Sequence, residues 1–146
     1  MESLVKLRLI VAFAVCAVLL SGCSSKPKPA QLSGMVTFKG QPVPAGYVSF
    51  APDVGNGGRG ELRVFQIKEG AYDSAKENPP GINPGPYFVR IAGFDGKRIP
   101  FYGQGKQIFN EVTDLYITVP AGTTNKDFVI PEAAGQNVRI QRTADT

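Results

Sequence analysis

The sequence predicts one all-β domain, built as a two-sheet β-sandwich of about seven strands and preceded by an export signal and a short tether. Three observations favour this class. The chain has 17 glycines and 12 prolines in 146 residues, and they divide it into short segments. Those segments are rich in Val, Ile, Phe and Tyr, the residues that fit a pleated sheet. None of them shows the 3.6-residue periodicity of an amphipathic helix longer than about two turns.

The first strand is predicted from an alternating pattern. Apolar or small residues occupy every second position from Leu32 to Phe38, so they share one face of an extended chain. The segment 40–46 holds two prolines and two glycines. It is expected to end this strand, because proline removes a backbone donor and glycine permits positive φ. A second strand is predicted over 47–51, and the two strands are expected to form a hairpin.

Further strands are predicted wherever β-branched and aromatic residues cluster between turn signals. The neighbouring Val64 and Phe65 indicate a bulge or a change of face in one of them. A glycine-rich loop is expected at 53–60, and a long irregular segment at 93–107 is expected to cross one end of the sheets. The run 87–92 is the most strongly β and is typical of a core strand. The further strands are 61–68, 71–75, 87–92, 115–119, 127–130 and 138–141.

The N-terminus has the order of an export signal. Two basic residues, Lys6 and Arg8, precede twelve apolar ones, 9–20, and small residues follow. A helix that spans a bilayer needs about 20 apolar residues, so this run is too short for a permanent span. The pattern therefore predicts a cleaved signal peptide over residues 1–22.

The end of this signal, Leu20-Ser21-Gly22-Cys23, resembles the lipobox of bacterial lipoproteins over all four positions. The resemblance implies that Cys23 begins the mature chain and carries a diacylglyceryl thioether, with a further acyl chain on the new amino terminus. Two or three acyl chains give stable attachment, at ~0.8 kcal/mol per buried methylene. The alternative is an ordinary signal peptide that happens to contain a cysteine. By resemblance to enteric sorting, Ser24 favours delivery to the outer membrane, on its periplasmic or surface face.

Domain limits follow from these patterns. Residues 23–31 are predicted to be the lipidated Cys23 and a tether rich in Pro, Lys and Ser. Its prolines favour an extended backbone, and its lysines suit anionic headgroups. The β-sandwich is predicted over 32–142, with a C-terminal tail at 143–146. The other cysteine, Cys16, lies within the signal, so the mature chain has no pair for a disulfide and must fold on its hydrophobic core.

Several runs resemble one known family, the carboxypeptidase-regulatory-like domains. The opening of that family follows the pattern G-x-V-x-x-x-G-x-P-V-x-x-(A/G)-x-V-x-F, which is similar to residues 34–50. Two later landmarks are similar to 70–72 and 84–91. The distal part resembles the version of the domain found in small lipoproteins of planctomycetes and related bacteria, in the segments 99–103, 115–119 and 125–128.

The resemblance implies a transthyretin-like (prealbumin-like) β-sandwich of about seven strands. In the metallocarboxypeptidases this module is an accessory to the catalytic domain and has no zinc site. The Pro-Gly pair at 84–85 is expected to turn the chain into a central strand. Tyr72 and Tyr87 are expected to bury their rings while each hydroxyl reaches a hydrogen-bond partner.

The residue types exclude several chemistries. No histidine occurs in the chain, which removes Ser-His-Asp and Cys-His nucleophilic systems and the commonest zinc ligand. The twelve acidic residues lack a calcium-loop spacing, and Asp53 and Asp95 are interpreted as turn residues. The run 55–60 is glycine-rich like a phosphate loop but lacks the Lys-Ser/Thr that should follow. The sequence therefore predicts no enzyme, no cofactor and no metal site.

Two functions remain open at this point. The first is a lipid-anchored, non-catalytic β-sandwich in the bacterial cell envelope, acting as a structural or interaction module beside another envelope protein. The formal net charge of +4 is scattered, so no nucleic-acid partner is predicted, and the membrane is the partner expected through the lipid anchor. The second is a lipoprotein that binds a glycan or a peptide with the loops 53–60 and 93–107. Its ligand would stack on Arg98, Phe101 and Tyr102.

Overall fold

A computed structural model describes residues 28–97 and 103–136 of the chain. Regular structure in this part is almost all β, and its helices are three short 3-10 turns, Val54–Asn56, Ser74–Lys76 and Glu132–Gly135. The prediction of an all-β fold is therefore confirmed. The strands are β1 (Gln31–Phe38), β2 (Gln41–Pro42), β3 (Ala45–Pro52), β4 (Arg63–Lys68), β5 (Ala71–Asp73), β6 (Gly85–Phe94), β7 (Val112–Val119), β8 (Thr123–Asn125) and β9 (Phe128–Ile130).

The nine strands form one curled sheet that contains the path β2-β1-β5-β4-β3-β6-β7. Neighbours along this path are antiparallel, whereas β8 and β9 both pair in parallel with β1. β1 is therefore shared by four partners. Its first half pairs with β5 and β8, and its second half pairs with β2 and β9.

Most predicted strands are present, with shifted limits. Every long strand overlaps a segment that the sequence predicts, whereas the short strands β2 and β8 have no sequence pattern of their own. The alternation in β1 is confirmed, because Leu32 and Val36 are buried and Met35 between them is exposed. The strand predicted at 138–141 and the tail predicted at 143–146 lie outside the described residues.

The predicted hairpin of β1 and β3 is wrong. β1 turns at Lys39-Gly40, both with positive φ, into the two-residue β2, and β3 pairs with β4 and β6 instead. Pro42 and Pro44 prevent β2 from growing, because neither residue can donate to a ladder. Val43 between them is fully buried, so the chain crosses the end of the core here before β3 begins.

The bulge predicted at Val64 and Phe65 is also wrong. β3 and β4 pair in continuous register along the whole of β4. Phe65 points into the core and Val64 points out of it, as simple alternation requires. The irregularity lies instead between β6 and β7, where the register shifts between Val89 and Ile91.

The connections between strands lie at two opposite ends of the sheet. β1 begins at Gln31, directly after the predicted tether. We call the end of the sheet at Gln31 the tether end, and the opposite end the far end. β1 has eight residues, and at about 3.3 Å per residue the two ends are about 26 Å apart. At the tether end lie the connections 53–62, 74–84 and 120–122. At the far end lie the connections 69–70 and 95–111.

The roles predicted for Tyr72 and Tyr87 are confirmed. Both side chains are buried in the core. The Tyr72 hydroxyl donates to the carbonyl of Lys126 at 2.6 Å, and the Tyr87 hydroxyl donates to the carbonyl of Asn83 at 2.8 Å. Burial, and after it the charge of Asp127, holds the pKa of Tyr72 well above its usual value. Each tyrosine therefore fixes a connecting segment to the core.

Gly34 lets β1 lie close to the link between β8 and β9. The N–H of Lys126 in this link donates to the carbonyl of Ser33 at 2.8 Å. A Cβ atom at Gly34 would overlap the Lys126 carbonyl oxygen and would also press on the Tyr72 ring. A side chain at this position is therefore incompatible with the observed packing.

Candidate functional site

The residues predicted to carry function lie outside the described part of the chain. They are Cys23, the predicted lipid attachment site, and the three ligand-binding candidates Arg98, Phe101 and Tyr102. The described residues on both sides of the three candidates belong to the far end of the sheet. The structure therefore shows where the base of their segment lies.

Asp95 holds the base of this segment, which spans 95–106 and which we call the far-end segment. Oδ1 of Asp95 accepts hydrogen bonds from the backbone N–H groups of Lys97 and Lys106, both at 3.0 Å. The backbone N–H of Asp95 donates to the carbonyl of Lys106 at 2.9 Å, so the two arms of the segment are paired. A side chain at Gly105 would overlap Asp95 Oδ1. The prediction that Asp95 is a turn residue is confirmed.

The two loops that the ligand-binding hypothesis combines lie at opposite ends of the sheet. In the pairing of β3 with β6, Ala45 is opposite Phe94 at the far end, and Pro52 is opposite Tyr87 at the tether end. β3 has eight residues, so segment 53–60 is separated from the base of the far-end segment by about 26 Å. The described parts of the two loops therefore do not form one site.

Segment 53–60 is an ordered turn centred on Asp53. Asp53 is only 7% exposed, and its carboxylate accepts from the backbone N–H of Asn56 at 3.3 Å and from its side-chain amide at 2.7 Å. The Asp53 carbonyl accepts from the N–H of Gly58 at 2.7 Å. Asp53 is thus a turn residue, as predicted. A carboxylate at the centre of this turn repels phosphate, so the glycines here do not form an anion site.

The chain is fixed to the sheet directly after the predicted tether. Ala30 and Ile82 exchange two backbone hydrogen bonds, at 2.7 and 2.9 Å, and both side chains are buried. Pro29 borders an open cleft of about 250 Å³ together with Glu61 of the connection between β3 and β4. This connection therefore lies beside the point where the tether meets the domain.

The outer face of the sheet carries exposed apolar side chains that sequence reasoning did not single out. Phe88 of β6 and Tyr116 of β7 are each about half exposed, and their rings meet edge to face with centroids 5.4 Å apart. Val64 of β4 is exposed on the same face, and Leu62 and Val54 are exposed in the adjoining connection at the tether end. We call these five residues the tether-end patch.

Two tyrosines on the outer face stay neutral at physiological pH. Desolvation, and after it the negative charge of Asp53, raises the pKa of Tyr116. Desolvation and then the charge of Glu111 raise the pKa of Tyr47, against a lowering by Arg90. The charge of this face therefore comes from its basic and acidic side chains alone.

The three buried polar residues of the described part, Ser49, Asp53 and Ser74, are each hydrogen-bonded to the backbone. The Ser74 hydroxyl accepts from the N–H of Leu32 at 2.8 Å, and the Ser49 hydroxyl donates to the carbonyl of Arg90 at 3.5 Å. The third such residue is Asp53, which caps its own turn. Residues 28–97 and 103–136 contain no group of three acidic, histidine or cysteine side chains that could hold a metal ion.

None of the described helices has the length and apolar character needed to cross a bilayer. No protein-family model, curated protein or solved structure matches the chain. Its function is therefore inferred from its own residues and geometry.

Proposed function

We propose that this chain is a bacterial lipoprotein whose β domain is tied to the cell envelope by acyl chains on Cys23 and acts as a non-catalytic interaction module. The observation that best supports this proposal is the layout of the sheet. The chain enters the sheet at Gln31, and the base of the far-end segment lies at the opposite end, about 26 Å away. An anchor at one end turns the other end away from the bilayer, where an envelope partner can reach it.

The length of the tether supports a domain that stays close to the membrane. Ala30, the first residue bonded to the sheet, is seven positions after Cys23. An extended chain covers at most ~3.6 Å per residue, so the tether end lies within about 25 Å of the headgroups. The domain is thus held near the bilayer by the short chain as well as by the lipid.

The chemistry of the described residues agrees with an interaction module. Catalysis by carboxylates needs at least one acidic side chain in a cleft with a perturbed environment. Asp53 is the buried acidic residue of this part, and its carboxylate is used by Asn56. We therefore propose that the domain is not an enzyme and uses no cofactor.

For the fold, we propose that the curled sheet is the prealbumin-like two-sheet sandwich. Rings from strands that are not paired with each other meet in one core, as two opposed layers require. The centroid of Phe50 in β3 is 6.3 Å from that of Tyr72 in β5, and the centroid of Tyr72 is 5.9 Å from that of Phe128 in β9. An experimental structure of the mature chain tests this assignment, and a closed barrel without two opposed sheets contradicts it.

A second candidate function is the binding of a glycan or a peptide. The observation that favours it is that Asp95 fixes the base of the far-end segment. In the sequence, the three candidates Arg98, Phe101 and Tyr102 lie between the two ends of this segment. In this version the segment 53–60 takes no part, because it lies at the tether end.

The anchor is tested by metabolic labelling with an alkynyl fatty acid. We expect the wild-type chain to be labelled and Cys23→Ser to be unlabelled and to keep its signal peptide. A label that survives Cys23→Ser, or an unlabelled wild type, contradicts the proposal. Separation of inner from outer membranes in the same cells tests the outer-membrane location that Ser24 predicts.

The partner is tested with the mature chain purified in detergent, on a glycan array and in a peptidoglycan pull-down. A saturable ligand that is lost in both Phe101→Ala and Tyr102→Ala favours the second function over the first. Val129→Ala is the matched control, because this side chain is 78% exposed and lies in β9, outside the far-end segment. Binding unchanged in both aromatic variants rules these rings out as the ligand site.

A further inference from the structure

We propose that the tether-end patch rests in the headgroup layer of the bilayer, so that the domain leans on the membrane instead of moving freely on its tether. This inference rests on the proposed lipid anchor at Cys23. It adds a second contact with the membrane, made by protein side chains. The partner of the patch is therefore a lipid surface.

Exposed apolar side chains are concentrated at this one place. Seven large apolar side chains are exposed in the part of the chain that the structure describes, and five of them form the tether-end patch. Val54 is 79% exposed and Leu62 is 60% exposed. Contact with water is unfavourable for such aliphatic side chains, and a cluster of them marks a contact surface.

The shape of the sheet raises these side chains above their surroundings. Val64 in β4 is paired with Ser49 in β3, and Phe88 in β6 is paired with Ala51 in β3. Towards the tether end the outward side chains of β3, Ser49 and Ala51, are therefore small, and the larger ones on both sides stand above them. Phe88 is joined by Tyr116, and a ring that carries a hydroxyl is typical of the headgroup level of a membrane.

The charges beside the patch suit an anionic surface. Arg59 belongs to the connection that carries the aliphatic part of the patch, and Lys28 lies in the predicted tether. Glu61 is the exposed acidic residue of that connection, because the carboxylate of Asp53 is buried and bound within its turn. Basic side chains near anionic headgroups strengthen the contact of an apolar patch with a membrane.

The tether decides which partner fits the patch. Pro29 is six positions after Cys23. It borders the same cleft as Glu61, the residue that precedes Leu62 in the sequence. Pro29 is therefore within about 22 Å of the headgroups along the chain, and the connection that carries Leu62 lies across this cleft from it. A protein partner would have to enter this narrow space, whereas the lipid surface is already there.

The absence of tryptophan from the chain allows a direct test, because a single introduced tryptophan reports only its own surroundings. Val54→Trp and Leu62→Trp place the probe in the patch. Val129→Trp is the matched control, since Val129 is 78% exposed against 79% for Val54 and is paired with Thr37 towards the far end. Each full chain is produced in a bacterium and purified in detergent. It is then reconstituted into vesicles of phosphatidylethanolamine and phosphatidylglycerol, with or without brominated acyl chains that quench tryptophan at short range.

We expect the brominated lipid to quench Val54→Trp and Leu62→Trp several-fold more strongly than Val129→Trp. Equal quenching of all three variants, or no quenching of the two patch variants, overturns the proposal. Sedimentation of the vesicles separates the two levels of inference. A wild-type chain that does not sediment refutes the lipid anchor and this inference with it, whereas a chain that sediments without selective quenching refutes only the contact of the patch.

Discussion

Replacing Tyr72 by phenylalanine tests how the core holds the link between β8 and β9. The Tyr72 ring packs near Phe65 and Phe128, with centroids 6.5 and 5.9 Å away. Its hydroxyl donates to the carbonyl of Lys126 at 2.6 Å. Tyr72→Phe keeps the ring and removes only the hydroxyl, so it isolates this hydrogen bond.

The expected loss in the free energy of unfolding is about 1–2 kcal/mol at neutral pH. A neutral hydrogen bond contributes ~1 kcal/mol, and the Lys126 carbonyl loses this donor in a partly buried site. The matched control is Tyr47→Phe, which removes the hydroxyl of a partly exposed side chain whose raised pKa is caused by desolvation and nearby charges, without a hydrogen bond. Its effect is expected to stay below ~0.5 kcal/mol.

The difference in stability between wild type and Tyr72→Phe is also expected to change with pH. Burial, and then the charge of Asp127, raises the pKa of Tyr72 above the value of 10.0 that the unfolded chain has. As pH rises, the unfolded chain releases this proton first. The stability that the neutral hydroxyl confers is thus complete below about pH 10 and is lost above it by ~1.4 kcal/mol per pH unit. Tyr72→Phe lacks this proton, so the free energies of unfolding of wild type and variant are expected to become equal near about pH 11.

Urea unfolding followed by far-ultraviolet circular dichroism measures both effects, at about pH 7 and at about pH 11. If Tyr72→Phe is no less stable than Tyr47→Phe at neutral pH, the hydroxyl does not hold the link. If the gap between wild type and Tyr72→Phe stays constant up to alkaline pH, the raised pKa is refuted.

Three further changes test other contacts. Ser74→Ala removes the acceptor of a backbone N–H in β1 and is expected to lower the free energy of unfolding in urea by about 1–3 kcal/mol. Ser49→Ala removes only a 3.5 Å contact and should lower it by less than ~0.5 kcal/mol, so equal effects contradict this assignment. Gly34→Ala forces a methyl group into a backbone carbonyl. It is expected to lower the free energy of unfolding by more than about 3 kcal/mol, and an unchanged thermal midpoint refutes the clash. Asp95→Ala is expected to speed amide hydrogen exchange at the base of the far-end segment, while Asp95→Asn keeps an acceptor oxygen and part of the protection. Exchange that is equally slow in wild type and Asp95→Ala shows that the carboxylate does not hold this base.

The positions of the strands follow from the sequence because alternation is a local property. In β1, the side chains of Leu32 and Val36 face the core whichever strand lies beside it. The partners do not follow, because pairing depends on contacts between distant residues. The segment that holds Val43 reads as a hairpin connection, yet burial of this side chain takes the chain across the far end, and β3 forms beside β4 and β6.

The candidate surfaces show the same limit. The alternation in β6 could have placed Phe88 and Arg90 on the outer face, since the residue before each of them, Tyr87 or Val89, is buried. No local pattern could have brought Val54 beside that face, because its position depends on where β3 ends. For the same reason the sequence could not show that segments 53–60 and 95–106 lie at opposite ends of the sheet.

The position of β1 among four partners has a mechanical consequence. With the proposed anchor at Cys23, a pull on the lipid would be transmitted along the chain to Ala30 and Gln31 and then along the axis of β1. Its hydrogen bonds to β5, β8, β2 and β9 lie across that axis, so the force shears many of them together instead of opening them one after another. The strand that continues the predicted tether is therefore also the one best placed to bear load, and under the proposed anchoring a pull from the membrane would reach the rest of the protein through β1.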